Sequence, residues 1–241
     1  MSGNAYPRPE GSTHKKRVLA FFCAFVVALL LFIWLLLPKF AVSAIEKSFE
    51  AAFEDCQAHL KSKDGFLATV GGTAQNAELN LKFAEGAPVS QISAVYADRA
   101  ELWTTFKAGE ASLSQNAPDK LCYQWDAAAL TVFLQQRQSF MSKPVASIGK
   151  DNINISCTLS VYGRDLQAEL LVIPQIEEDK LLLVLQKVST RTIDGQPLDL
   201  STAVEAKLAD KLQMELAFPP LNWPTEGAEA YLDNGFLLVS K

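Results

Sequence analysis

The chain has 241 residues, with four cysteines, two histidines and a net charge of −5. Five of its 22 basic residues and one of its 27 acidic residues fall in the first 39 positions, so residues 40 to 241 carry 17 bases against 26 acids, a net charge of −9. A segment so acidic repels phosphate backbones and anionic headgroups, so the expectation is that no nucleic acid is held by electrostatics and that lipid contact there is apolar.

The first element is an apolar run. Val18 to Leu37 holds 20 consecutive uncharged residues, directly after His14-Lys15-Lys16-Arg17 and directly before Pro38-Lys39. As a helix it spans about the 30 Å hydrocarbon core of a bilayer. Positive charge is retained on the cytoplasmic side, so Lys15, Lys16 and Arg17 place the N-terminus inside and the rest of the chain outside the cell membrane. A cleaved signal peptide is the rival reading, because Val42-Ser43-Ala44 has cleavage-site spacing; the run nevertheless exceeds the roughly 7 to 15 residues of such segments, and Lys39 interrupts the approach. Lipidation at Cys23 fails, since that cysteine follows bulky Phe22 and lies inside the span. The expected organisation is a cytoplasmic tail at 1–17, a single transmembrane signal-anchor at 18–37 and one extracytoplasmic domain at 38–241.

Beyond Pro38, Ile45, Phe49, Ala52, Phe53, Cys56 and Leu60 recur at helical intervals, which predicts an amphipathic helix able to continue from the span. After Asp64-Gly65 the period becomes two. Ala77, Leu79, Leu81 and Phe83 alternate with polar residues, as do Ile92, Ala94 and Tyr96, and then Ala100, Leu102, Thr104 and Phe106, all read as half-buried antiparallel strands. A helix follows from about Trp125 to Arg137, with Asp126 near its start and Ala129, Leu130, Phe133 and Leu134 on one face.

The most regular region comes next. Ile153, Ile155, Cys157, Leu159 and Val161 alternate with Asn154, Ser156, Thr158 and Ser160; Gly163-Arg164 turns the chain into Leu166, Ala168, Leu170 and Val172. Pro174 to Asp179 reads as a turn and Lys180 to about Ile193 as a long strand. Thr202-x-x-Glu205 resembles a capping box opening a helix with Val204, Leu208 and Leu212 on one side. A proline-rich stretch, Phe218 to Pro224, and a hairpin about Asp233-Asn234-Gly235 close the chain.

Chemistry-bearing patterns are sparse. His14 is cytoplasmic on this topology and His59 has no partner at helical spacing, so neither a catalytic triad nor a metal site is indicated. Ser147-Ile-Gly-Lys150 matches Ser-x-x-Lys but sits in a loop-like stretch with Pro144 and Gly149 and lacks its companion motifs. Asn154-Ile-Ser156 is a formal glycosylation sequon in mid-strand. Cys56 and Cys157 read as small buried hydrophobes; an oxidising compartment would allow one disulfide, Cys122 with Cys157. No cofactor and no catalytic residue are assigned.

The leading amphipathic helix, the alternating strands, the Trp125 to Leu134 segment (WDAAALTVFL) entering a helix and the closing Leu232 to Ser240 hairpin (LDNGFLLVS) together resemble the LmeA-type bacterial envelope proteins over roughly residues 45 to 240. The resemblance implies a tubular lipid-binding architecture, a strongly curved sheet around a long helix, with an apolar lumen for acyl chains and a part in phospholipid binding and cell-envelope assembly. Members are often secreted or lipid-anchored, whereas this chain keeps a span. The expected fold is therefore α+β, an N-terminal transmembrane helix followed by a long curved antiparallel sheet covered by amphipathic helices.

Two functional readings result, neither enzymatic. In the first, the outer domain binds a phospholipid or other long apolar ligand, lined by Leu79, Leu81, Phe83, Ile155, Leu159, Val161, Leu166, Leu170 and Val172, each in the apolar phase of its strand. In the second, the domain is a solid-cored accessory subunit that docks a protein partner through the loop Pro219 to Pro224, with Trp223 as its anchor.

Overall fold

A computed structural model of the chain describes residues 11–53, 55–62, 73–74, 76–97, 100–101, 103–107, 110–113, 117–137, 141–161, 163–177, 180–192, 195–198, 212–215 and 227–241. The fold is α+β, a long N-terminal apolar helix followed by antiparallel sheets. The expected helix after Thr202 and the loop from Phe218 to Pro224 with Trp223 lie outside the described residues, apart from Leu212, which is fully buried.

Helix α1 runs unbroken from Gly11 to Ala52. Its 42 residues correspond to about 63 Å. After it come β1 (Cys56–Lys61), β2 (Thr73–Ala74), β3 (Ala77–Phe83), β4 (Gln91–Tyr96), β5 (Ala100–Glu101), β6 (Trp103–Lys107), β7 (Glu110–Leu113) and β8 (Lys120–Trp125). Helix α2 (Ala127–Arg137) then leads into β9 (Met141–Ile148), β10 (Ile153–Val161), β11 (Arg164–Glu177), β12 (Lys180–Arg191), β13 (Pro197–Leu198), β14 (Gln213–Glu215), β15 (Glu229–Asp233) and β16 (Phe236–Ser240).

One six-stranded sheet has the order β1-β3-β4-β8-β16-β15, and the other runs β13-β12-β11-β10-β9, with β14 also on β12. Their apolar faces share a single core. Ile45 and Phe49 of α1, Leu79, Leu81 and Tyr123 of the first sheet, Ile155, Leu170 and Val172 of the second, and Leu130 and Phe133 of α2 belong to one contiguous cluster. The chain passes between the sheets through a tightly bonded corner. Trp125 Nε1 donates to Pro88 O (2.9 Å), the Asp126 N–H to Ser90 Oγ (2.8 Å), and Asp126 Oδ1 caps α2 by accepting from the Ala129 N–H (2.8 Å).

Several elements differ from the sequence expectation. The amphipathic helix ends at Ala52, and Cys56 and Leu60 belong to strand β1. A spacing of four suits both periods, since Cys56 and Leu60 are buried on one face of a strand as readily as on a helix. Asp55, with φ 54°, takes the left-handed turn that ends the helical path. Strand β8 precedes α2, so that Trp125 is the last residue of a strand. The stretch containing Pro144, read as a loop, is strand β9, tolerated because β9 is an edge strand with a bulge at that point. Strand β11 extends to Glu177 through Pro174, which lies two residues beyond the end of the ladder with β10 at Val172, so one side of the strand can lack a donor there. The expected cover of amphipathic helices over the sheet is not seen among the described residues, where the short α2 is the one helix besides α1.

The outer edges β1 and β9 are both closed by helix side chains. Glu46 and Glu50, one turn apart on α1, accept from the Leu60 and Ala58 N–H groups of β1 at 2.9 and 3.3 Å. Thr131 of α2 accepts from the Ala146 N–H of β9 at 2.9 Å, while its own hydroxyl donates to Ala127 O at 2.7 Å. Otherwise unpaired edge donors are thereby satisfied and withdrawn from pairing with another chain.

Candidate functional site

Helix α1 changes character along its length. Val18, Phe21, Phe22, Phe25 and Leu30 are exposed, and the stretch is long and apolar enough to cross a membrane, the one such helix among the described residues. From Ala41 onward the same helix turns inward, with Ala41, Ile45 and Phe49 buried. Three residues lie between Leu37 and Ala41, a rise of about 6 Å along the helix, so the end of the apolar run stands close to the domain interior.

Most of the expected lining residues meet in that interior. Leu79, Leu81, Ile155, Leu159, Leu170 and Val172 are no more than 2% exposed and belong to the shared cluster. They come from both sheets because strand alternation sends each apolar phase inward; Ile155 pairs with Leu170 and Leu81 with Ile92. Phe83 lies at the margin, half-buried at the end of β3, with its ring 5.5 Å from and edge-on to Phe53. Leu166 is buried opposite Leu159 but outside the contiguous cluster. The backbone of Val161 pairs with Arg164 at the hairpin end; its side chain lies outside the described residues. The same interior holds the fully buried aromatic side chains Trp125, Tyr123, Phe133 and Phe49.

The opposite, solvent face of the second sheet carries a groove of about 270 Å³. The Cys157 and Ala168 cross-strand pair also borders it, although both side chains are buried in the shared core. Two transverse rows of side chains cross it: Val145, Ser156, Glu169 and Ser189 in one, and Thr158, Gln167 and Arg191 in the next. Lys143 completes the lining. These residues carry no motif in sequence, since register across four strands assembles them; the hint available was Pro144, which breaks the alternation of β9.

The cysteines lie buried or half-buried in the domain, or on the membrane-length helix, rather than forming an activated pair. Cys23, Cys56, Cys122 and Cys157 are free thiols, and Cys122 and Cys157, on different sheets, are not joined. Burial pushes the Cys157 thiol up to about 11, and burial together with the Glu50 carboxylate does the same for Cys56. Cys122 is likewise raised by burial. Thiols kept protonated at neutral pH are poor nucleophiles. His59 is exposed on β1 with its Nδ1 3.4 Å from Glu46 Oε1, the same carboxylate oxygen that closes the strand edge. Ser147 Oγ donates to Asn154 O at 3.4 Å across the sheet. Among the described residues, no group of three or more His, Cys, Asp or Glu side chains gathers to hold a metal.

The chain matches no known family model, no curated protein and no solved structure.

Proposed function

We propose that this protein is a single-pass membrane protein, N-terminus cytoplasmic, whose extracytoplasmic domain binds a phospholipid or other long apolar ligand in envelope assembly or lipid handling, without covalent chemistry. The observation that carries this reading is the continuity of α1, which joins a lipid-length apolar segment to the domain core with only three residues between Leu37 and buried Ala41. An acyl chain leaving the bilayer beside α1 has a short path to an interior built from Leu79, Leu81, Ile155, Leu159, Leu170 and Val172. The resemblance to LmeA-type proteins points the same way, and the retained span favours a tethered binder over a free shuttle. Lys15, Lys16 and Arg17 support the orientation through the positive-inside rule.

The test uses the full chain in liposomes that contain a phospholipid with a photoreactive group near the end of its acyl chain. The expected adducts lie in peptides of β3, β10 and β11, at a stoichiometry approaching one lipid per chain, in addition to those on the span. Adducts confined to Val18–Leu37 would overturn the reading. Protease digestion of sealed vesicles of known orientation checks topology, with residues 40 to 241 expected on the face opposite Lys15 and Lys16.

A second reading is favoured by the buried Trp125, Tyr123, Phe133 and Phe49, which occupy much of the interior. It makes the domain a solid-cored accessory subunit that docks a protein partner. Adducts restricted to the span are its expected result in the same experiment.

A further inference from the structure

The groove on the solvent face of β9 to β12 lies on the side of the sheet away from the apolar core, so what it binds is independent of the interior. Its distinctive feature is Lys143. This residue has φ 51°, the left-handed region that side chains other than glycine avoid, and it sits within a strand rather than at a turn. The cause is a bulge. Ser156 pairs with Val145 but Thr158 pairs with Ser142, so Lys143 and Pro144 together oppose Cys157. In a regular strand successive residues face opposite sides; here Ser142 and Lys143 are both exposed while Pro144 is buried. The bulge thus re-aims a lysine into the groove, at a backbone conformation that glycine or asparagine would occupy with less strain.

Arg191 lines the other flank, three strands away, or about 14 Å between backbones at the usual strand spacing. Neither cation has an ion-pair partner among the described residues, although residues 40 to 241 carry a net charge of −9. Between them stand the hydroxyls of Ser156, Thr158 and Ser189, and the Glu169 carboxylate, which lies in the row adjacent to Arg191. Two long cationic side chains lining opposite flanks suit one small anion, hydroxyl groups between them suit its remaining oxygens, and a carboxylate beside them suits a hydrogen-bond donor close to that anion.

We propose that this groove binds a small polar ligand made of a phosphate monoester or diester with a neighbouring ammonium group, held by Lys143 and Arg191 at the phosphate and by Glu169 at the ammonium. That chemistry occurs in a phosphoethanolamine solute and in an ethanolamine lipid headgroup, and the experiment separates the two sources.

The full chain is reconstituted in phosphatidylcholine nanodiscs at low ionic strength, and O-phosphoethanolamine is titrated calorimetrically. Saturable binding is expected. Lys143→Gly and Arg191→Gln should each weaken it about tenfold, the loss of one charge-assisted contact. Lys143→Gly also relieves the left-handed strain, so its melting temperature should equal or exceed that of the wild type, which separates lost binding from lost folding. Glu169→Gln should weaken O-phosphoethanolamine while leaving inorganic phosphate binding unchanged or stronger. Repeating the titration in discs that include phosphatidylethanolamine assigns the source: competition identifies the headgroup, and unchanged affinity identifies the free solute. The proposal is overturned by absence of saturable binding in choline discs, by binding that Lys143→Gly and Arg191→Gln leave unaltered, or by indifference of O-phosphoethanolamine binding to Glu169→Gln.

Discussion

The Leu60 backbone N–H donates to Glu46 Oε1 at 2.9 Å, across a sequence separation of 14 residues that contains the end of α1 and the turn at Asp55. A carboxylate in the last turns of a helix works against the helix dipole, so Glu46 is poorly placed for α1 alone. Its place is explained by the edge of β1, whose outward N–H groups need acceptors. Glu46→Ala should therefore destabilise the domain by about 1 to 2 kcal/mol, the cost of one unsatisfied donor to a charged acceptor at a partly exposed site. Glu46→Gln, which keeps an acceptor oxygen, should cost less. Urea denaturation gives the energies, and faster amide exchange at Leu60 in Glu46→Ala identifies the bond; equal stability of the two variants would contradict this account.

At the other edge, Thr131 both donates to Ala127 O and accepts from the Ala146 N–H. Thr131→Val keeps the shape and removes both bonds, leaving a donor of β9 without its acceptor. A loss of about 1 to 3 kcal/mol is expected, with Thr131→Ser restoring most of it. Thermal melts of the three proteins check the order, and amide exchange at Ala146 should rise only in Thr131→Val.

The fold was legible wherever one period dominated. Ile153 to Val161 alternate without interruption, Leu166, Ala168, Leu170 and Val172 keep one apolar phase, and the two segments form β10 and β11 with Ile155 opposite Leu170. The Asn234-Gly235 turn is equally plain: φ values of 48° and 83° are those of the two-residue hairpin that this dipeptide favours. Ambiguity arose where a spacing served two periods, as at Cys56 and Leu60, or where a strand abuts a helix, as at Leu121, Tyr123 and Trp125 just before the Asp126 cap. In β9 the bulge at Lys143 and Pro144 removed the alternation altogether. The apolar interior could be read from strand phase because phase is local. The groove could not, because Arg191, Gln167 and Thr158 become neighbours only through register across three strands.

Buried thiols make stability depend on alkaline pH. Burial raises the Cys157 thiol from 9.0 to about 11, so above pH 9 the unfolded chain releases a proton that the folded chain retains. Fewer protons on the unfolded state mean that stability falls as pH rises through the window from 9 toward 11. Cys56 acts in the same direction, its thiol raised to about 11 by burial and by the Glu50 carboxylate. Cys157→Val should flatten part of the decline. The check is the midpoint of urea denaturation at pH 8 and pH 10 for both proteins; the difference between the two pH values should be smaller in Cys157→Val.

Burial along α1 begins at Ala41, while Lys39 and Phe40 just before it are exposed. The apolar run and the domain core thus use different stretches of one helix, and the core contacts come from Ala41, Ile45 and Phe49. A chain beginning at Lys39 keeps all three and loses the exposed apolar residues of Val18–Leu35. It should be recovered in the aqueous fraction without detergent and melt within a few degrees of the full chain. Phe49→Ala in either form removes a fully buried ring from the cluster that joins α1 to both sheets, at a cost of about 3 to 5 kcal/mol. Circular dichroism melts and sedimentation of the shortened chain decide the matter. Aggregation of the shortened chain at low concentration, or tolerance of Phe49→Ala, would show that the span rather than the last turns of α1 holds the helix to the domain.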